Sequence, residues 1–181
     1  RKRNYGAPRP DCGNGRDSRS VKTPLRAADY RLLLSLGLGV LFTDWLTKAL
    51  AANLLSAGRS VSFFGDYVRL SLSHNPGAAF GMRFGSAAVH LLVTVAVIVF
   101  IVAIALHTAP SRRLEQAGYG LILGGAIGNL GDRLLLGHVI DFLDLGIGNV
   151  RWWTFNVADA ALTAGVGLLL IASFRSRRTV Q

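Results

Sequence analysis

The chain has 181 residues, of which 51% are hydrophobic, and its mean hydropathy is +0.39. This length fits one domain, and this composition is unusual for a soluble domain of that size. The formal net charge of +10 would suit a nucleic-acid partner, but the basic residues cluster at the ends of apolar stretches, so we predict no nucleic-acid partner.

Four apolar runs follow one another along the chain, and they occupy residues 32–52, 86–106, 117–136 and 155–174. A helix of about 20 apolar residues crosses the hydrocarbon core of a bilayer. A soluble protein with four such buried helices is a remote alternative in a chain this short. The first run is not a cleaved secretory signal, because it contains Asp44 and Lys48 and lacks a small-residue cleavage site. We therefore predict an all-α membrane protein with four transmembrane helices.

Three basic segments indicate the orientation of these helices. They are the tail of residues 1–30, the connection with Arg112 and Arg113, and the C-terminal residues 176–181. Four spans place all three segments on one side, and the positive-inside tendency makes that side cytoplasmic. We predict a disordered cytoplasmic tail at 1–30, a membrane domain at 31–175 and a basic cytoplasmic tail at 176–181. Binding of the first tail to anionic lipid headgroups is an alternative to a solvated tail.

The connections on the other side predict a little additional structure. Apolar residues alternate within 60–72, which is typical of a strand and predicts a small extracytoplasmic β element. The stretch 146–154 contains Trp152 and Trp153, which favours an interfacial flap.

Polar residues inside the apolar runs fall at a common depth, toward the predicted outer leaflet. Polar groups are costly in a bilayer, so such residues are functional candidates. Spacings of three and four place them on single helix faces, and nearby glycines and alanines allow close helix packing. Packed helices would then gather them into one pocket; the residues are Asp44, Lys48, Asn129, Asp132, Arg133, Asn156 and Asp159. A purely structural role, as ion pairs between helices, is the alternative for Asp44 with Lys48 and for Asp132 with Arg133.

Neighbouring carboxyl groups in a poorly hydrated site share a proton, which is the chemistry of aspartyl proteases. Asp141 adds a carboxyl group flanked by apolar residues, where ionisation is unfavourable. The spacing alone does not choose the reacting pair among Asp132, Asp141, Asp144 and Asp159. The sequence shows no serine or cysteine nucleophile motif and no metal-binding histidine spacing, so we expect no metal and no cofactor.

Five segments resemble the lipoprotein signal peptidases, also called signal peptidase II, in that family's order. They are residues 44–48 (DWLTK), 75–80 (NPGAAF), 124–133 (GGAIGNLGDR), 139–142 (VIDF) and 155–159 (FNVAD). The resemblance covers about residues 31–175. It implies that Asp141 and Asp159 are the catalytic pair, and we expected both to project from neighbouring helices. It also implies supporting roles for Asp44, Lys48, Asn75, Asn129, Asp132, Arg133 and Asn156, whereas Asp144 is interpreted as structural.

The same resemblance implies the substrate and the location. The substrate would be a precursor protein whose cysteine carries a diacylglyceryl group, cut just before that cysteine. The enzyme would be a monomer in the bacterial plasma membrane, in contact with membrane lipid, with both termini cytoplasmic and the site extracytoplasmic. A proton-coupled transporter subunit and a structural membrane scaffold are the rival interpretations, because intramembrane polar residues also build ion pathways.

Overall fold

The computed structural model describes residues 30–56, 58–76 and 87–178. Of the predicted tail at residues 1–30, residues 1–29 lie outside the described residues, as do the last three residues and part of the 75–80 segment. In chain order the elements are α1 (Arg31–Leu54), β1 (Ser60–Phe64), β2 (Val68–Asn75), α2 (Ala87–His107), α3 (Arg113–Leu135), β3 (Val139–Ile147), β4 (Val150–Arg151) and α4 (Val157–Arg178). Each of the four predicted apolar runs is therefore a helix.

Three of these helices are long and apolar enough to cross a membrane by length and composition, within the described part of the chain: α1, α2 and α4. The fourth, α3, has a similar length of 23 residues but is not apolar enough to be counted with them, because it carries polar residues and many glycines. It packs against α1, α2 and α4. A central helix presents small and polar groups to its neighbours rather than apolar side chains to lipid. A mostly helical protein with a small sheet is confirmed, whereas the count of four spans stays a prediction.

Glycines on α3 allow this central position. A Cβ atom at Gly124 would lie 2.5 Å from the main-chain oxygen of Gly37 on α1, and one at Gly125 would lie 2.4 Å from that of Ala158 on α4. Atoms cannot approach so closely without a shift of backbone. The glycines thus set the separation of α3 from both neighbours, which is how small residues act in membrane helix packing.

The four strands form one antiparallel sheet in the order β1-β2-β3-β4. Strands β1 and β2 confirm the β element predicted from the alternation within residues 60–72. Strand β3 was not foreseen, and Asp141 lies on it. The expectation that both catalytic candidates project from helices is therefore wrong for Asp141. The apolar run around Asp141 is too short to distinguish a strand from the end of a helix by periodicity alone.

The sheet lies at one end of the helix bundle. Helices α1 and α3 end there, α4 begins there, and the strands fill the connections. All the predicted extracytoplasmic connections are therefore at the same end as the polar residues of the helices. Residues on a strand can therefore contact the polar residues at the ends of the helices.

We expect Gly124→Ala to lower the free energy of unfolding by about 1–3 kcal/mol, because the added methyl group overpacks the α1–α3 contact. Gly131→Ala is the matched control on the same helix, since nothing lies within 4 Å of a Cβ atom there. Thermal unfolding in detergent, followed by circular dichroism, measures both. Equal effects of the two substitutions would contradict the assigned role of Gly124.

Candidate active site

The polar residues of the helices meet around the ammonium group of Lys48. Its Nζ lies 2.6 Å from Asp44 Oδ2 and 2.8 Å from Asp132 Oδ2, and it donates a hydrogen bond of 3.0 Å to Asn129 Oδ1. Lys48, Asp44 and Asn129 are buried. A buried charge is tolerated only when paired and hydrogen-bonded, and here three acceptors satisfy the three donors of the ammonium group.

The two carboxylates that pair with Lys48 also bind main-chain groups of other elements. Asp44 Oδ1 accepts a hydrogen bond of 2.9 Å from the N–H of Ala158, in the first turn of α4. Asp132 Oδ2 accepts one of 3.2 Å from the N–H of Ile140, on β3. Lys48 and its partners thus fix the ends of α1 and α3 to the start of α4 and to β3.

The side-chain amide of Asn129 links Lys48 to Asp159 by hydrogen bonds. Its Oδ1 accepts hydrogen bonds from Lys48 Nζ and from Asn156 Nδ2, the latter at 3.1 Å. Because only the oxygen can accept from an ammonium group, the amide nitrogen must point the other way. Asn129 Nδ2 accordingly donates to Asp159 Oδ1 at 2.8 Å.

Asn156 and Asp159 form a reciprocal cap at the start of α4. Asn156 Oδ1 accepts from the N–H of Asp159 at 2.9 Å, and Asp159 Oδ2 accepts from the N–H of Asn156 at 3.4 Å. This is the geometry of a capping box, which satisfies N–H groups that a helix leaves unpaired at its start. The spacing Asn-x-x-Asp therefore has a local structural reason, and it holds the Asp159 carboxyl at the helix end.

Asn156 also binds Asp141, so one residue contacts both carboxyl groups: its side-chain amide binds that of Asp141, and its main-chain N–H binds that of Asp159. Its Nδ2 donates to Asp141 Oδ1 at 2.8 Å, and Asn75 Nδ2 donates to Asp141 Oδ2 at 3.0 Å. Asn75 reaches this position from β2, where it pairs with Val139 on the neighbouring strand. Asp141 is only 2% exposed, so it is almost fully removed from solvent.

Burial raises the pKa of the Asp141 carboxyl to about 6, while the Asn75 hydrogen bond acts in the opposite direction and the charge of Asp159 adds to the increase. Desolvation disfavours a carboxylate, and a nearby negative charge does the same. A carboxyl group with this pKa exchanges its proton close to neutral pH, as acid–base catalysis requires.

The structure brings the predicted residues together in one connected set. Asp44, Lys48, Asn129, Asp132, Asn156, Asp159, Asn75 and Asp141 are joined by the contacts above, and Arg133 NH1 donates to the main-chain oxygen of Asn129 at 3.0 Å. Asp132 pairs with Lys48 rather than serving as one of the two linked carboxyl groups. Asp144 lies on β3 as well, but it pairs with Arg151 away from this set.

An apolar groove of about 1030 Å³ opens beside Asp159. One side is the hairpin of β3 and β4 with Trp152 and Trp153, and the other is the α4 face with Ala160 and Thr163. Asp159 lines the groove, whereas Asp141 does not. A long apolar ligand placed in the groove would therefore meet Asp159 first.

Sequence reasoning missed the residue that holds this hairpin in place, Arg151. Its Nε donates to Asp144 Oδ1 and Oδ2 at 2.9 and 3.1 Å, its NH2 to the main-chain oxygen of Asp144 at 3.0 Å, and its NH1 to that of Asp66 at 2.8 Å. Gly146 leaves room for this side chain, because a Cβ atom there would lie 2.7 Å from Arg151 Cα. The only available signal was an acidic and a basic residue seven positions apart on either side of a turn.

Replacing Lys48 by Met should lower the free energy of unfolding by about 3–5 kcal/mol, because the buried Asp44 and the partly buried Asp132 would lose their cation and keep only main-chain hydrogen bonds. Arg112→Met is the matched control: Arg112 is half-exposed and pairs with Glu115 at 2.8 Å, and such surface pairs contribute about 0–1 kcal/mol. Denaturant titration in detergent measures the two. A loss at Lys48 no larger than that at Arg112 would contradict this account.

The pKa of Asp141 predicts a pH dependence of stability. Its folded value of about 6 exceeds the ordinary 3.8, so the folded protein holds this proton more tightly than the unfolded chain does. The free energy of unfolding should therefore fall by about 3 kcal/mol on this account as pH rises from about 4 to about 6. Asp141→Asn removes this contribution. Unfolding of both proteins across that range measures the difference, and a difference independent of pH would refute the assignment.

Comparisons with known proteins come from the family level, from curated sequences and from solved structures. The family model described as signal peptidase (SPase) II matches residues 36–175. The lipoprotein signal peptidase of Mycolicibacterium smegmatis is 42% identical over 168 residues, which are 87% of this chain and 66% of that protein. That of Geobacillus thermodenitrificans is 40% identical over 149 residues, which are 82% of this chain and 91% of that protein.

Two solved bacterial membrane enzymes share the fold. One has a TM-score of 0.76 and 28% identity, covering 82% of this chain and 91% of its own. The other has a TM-score of 0.71 and 30% identity, covering 77% and 90%. The family expected from the five sequence segments is thereby confirmed, and with its long apolar helices the chain is an integral membrane protein that belongs to the signal peptidase II family.

Proposed function

We propose that this chain is an aspartyl endopeptidase that removes signal peptides from diacylglyceryl-modified precursor proteins, with Asp141 and Asp159 as its catalytic pair. The observation that carries the proposal is the single Asn156 amide that binds both residues, through Nδ2 to Asp141 and through Oδ1 to the N–H of Asp159. Of the other described carboxyl groups at this end of the bundle, Asp44 and Asp132 pair with Lys48, Asp144 pairs with Arg151 and Asp66 pairs with Arg69. Asp141 and Asp159 are therefore the two available for acid–base chemistry.

In this proposal the pair shares one proton and titrates as a unit. The ionised carboxylate removes a proton from a water molecule, whose oxygen attacks the carbonyl carbon of the peptide bond. The protonated carboxyl hydrogen-bonds to the carbonyl oxygen and stabilises the negative charge that develops there. Collapse of the tetrahedral intermediate breaks the C–N bond, and the leaving amine takes a proton from the pair.

The surroundings of the pair suit this mechanism. Side-chain amides of Asn75, Asn129 and Asn156 donate to the two carboxyl groups. These hydrogen bonds orient both carboxyl groups, and no described cation forms an ion pair with them. The ammonium of Lys48 acts through Asn129 rather than by direct contact. Such preorganised dipoles stabilise changing charge without reorganisation during the reaction.

The groove supports a substrate that arrives from the lipid phase. It is lined largely by apolar side chains and has Asp159 on its wall. A precursor with a diacylglyceryl group would place apolar segments there and present the bond before the modified cysteine to the pair. The remaining features of the proposal are those implied by the resemblance: four spans including α3, both termini in the cytoplasm, and the site facing outward from the bacterial plasma membrane. We also propose that the enzyme acts as a monomer without metal or cofactor.

The test is cleavage of a diacylglyceryl-modified precursor by the purified protein in lipid, followed by gel mobility. We expect Asp141→Asn and Asp159→Asn each to lower the rate by about 10²-fold or more, since each removes a general acid–base group. Glu115→Gln is the matched control, because Glu115 lies in the first turn of α3, at the other end of that helix from Asn129, and pairs with Arg112; it should retain most of the rate.

Circular dichroism of each variant separates lost chemistry from lost folding. Cleavage at the normal rate by either substituted dyad residue would exclude the assigned pair. Equal cleavage of a precursor without the lipid group would exclude the proposed substrate class while leaving the dyad intact.

A further inference from the structure

The segment that leads from the β3–β4 hairpin into α4 forms an edge of the sheet beside the groove. Phe155 on this segment pairs with Leu143 of β3. The N–H of Phe155 donates to Leu143 O at 3.0 Å, and Phe155 O accepts from the N–H groups of Phe142 and Leu143 at 3.0 and 2.8 Å. Two residues of β3 thus oppose one residue here, as in a β-bulge. Both main-chain groups of Phe155 therefore point toward β3.

The main-chain groups of the preceding residue, Thr154, point the other way. Successive residues of a paired strand direct their N–H and C=O groups alternately to its two sides, so those of Thr154 face the open side of the edge. Thr154 is partly buried and lines the groove. Within the described part of the chain, its N–H, its C=O and its hydroxyl make no hydrogen bond. A partly buried main chain is normally paired, so Thr154 offers a pairing position to a bound molecule.

The carboxyl group of Asp159 lies further along the same edge. Asn156 is the next residue whose N–H points to the open side, and this N–H donates to Asp159 Oδ2 at 3.4 Å. Two residues of an extended strand span about 6–7 Å. The catalytic candidate is therefore one strand repeat away from the unpaired groups of Thr154.

Other polar side chains of the groove already have partners. Arg151 donates to Asp144, and Thr163 Oγ1 donates to the main-chain oxygen of Asp159 at 2.9 Å. The α4 side of the groove is otherwise formed by the small residues Ala160 and Ala164. These residues leave space for a chain, while Thr154 provides a donor and an acceptor for its main chain.

We propose that Thr154 pairs with the main chain of the precursor, so that the segment around the cleaved bond adds to the sheet as an extended strand. The N–H of Thr154 donates to a precursor carbonyl oxygen, and its C=O accepts from a precursor N–H. This inference rests on the proposed function and adds to it the way in which the substrate is held.

Strand addition has two consequences for the substrate. Main-chain hydrogen bonds provide affinity without reading side chains, so precursors of different sequence can bind in the same register. The peptide group about two residues beyond the paired one is then brought to Asp159, because the spacing along the substrate matches the spacing from Thr154 to Asn156.

N-methylation of the precursor tests the pairing with the unaltered enzyme. Synthetic diacylglyceryl-modified peptides carry one N-methyl group each, placed in turn at residues on either side of the cleaved bond but not on that bond. One position should raise KM about 5- to 10-fold with little change in kcat, because one hydrogen bond of the bound substrate is lost. The other methylated peptides serve as its controls.

Thr154→Pro tests the enzyme side of the pair, because proline has no N–H. Ser56→Pro is the matched control: Ser56 is exposed, and its N–H makes no hydrogen bond to any described residue. The preceding Leu55 is extended, as a residue before proline prefers. We expect Thr154→Pro to raise KM for the unmethylated peptide about 5- to 10-fold and to remove the extra effect of the sensitive methyl group. Ser56→Pro should change neither, and circular dichroism checks the folding of both.

Three other outcomes are distinguishable. Equal KM values for all methylated peptides would contradict strand pairing while leaving the peptidase assignment intact. A sensitive position whose effect persists in folded Thr154→Pro would overturn the role of Thr154. Failure to cleave even the unmethylated peptide would contradict the proposed function itself. Because the methylated peptides are tested with the unaltered enzyme, their result does not depend on how Thr154→Pro folds.

Discussion

The buried ammonium of Lys48 is the interaction on which the site depends. It pairs with Asp44 and Asp132, and through them it connects α1 and α3 to the first turn of α4 and to β3. Its third hydrogen bond fixes the orientation of the Asn129 amide. A charge removed from water in this way is stable only while all its partners are present, so the position of four elements is coupled to one side chain.

Among the described residues, amide groups rather than cations bind the carboxyl groups of Asp141 and Asp159 directly. The ion-paired Lys48 fixes the Asn129 amide, and that amide in turn binds Asp159. The alternative that Asp44 and Lys48 merely join helices is thus half correct: they do join helices, and by doing so they position the amide that binds Asp159.

The sheet contributes residues to the site and to the groove beside it. Arg151 ties the groove hairpin to Asp144 and to the turn at Asp66. Strand β3 also carries Asp141, which contacts Asn156 at the start of α4. In this chain, which belongs to the signal peptidase II family, the small sheet provides a catalytic candidate on a strand, and its β3–β4 hairpin forms a groove with α4.

The sequence by itself determined the helices, the depth of the polar residues and the family. Runs of about 20 apolar residues can satisfy their backbone in a membrane only as helices, and the five motif segments appear in order along the chain. The Asn156–Asp159 cap was also local, because a capping box needs only the spacing of three. The tertiary structure decided the rest. The sequence identified Asp141 as a catalytic candidate but did not place it on a strand, since a short apolar run fits a strand or a helix end equally well. Distant segments that become neighbours decided the pairing of Asp132 with Lys48 rather than with Arg133, the Arg151 contacts and the exposed position of β1 at the sheet edge. Spacing along one segment carries no information about which distant segments meet.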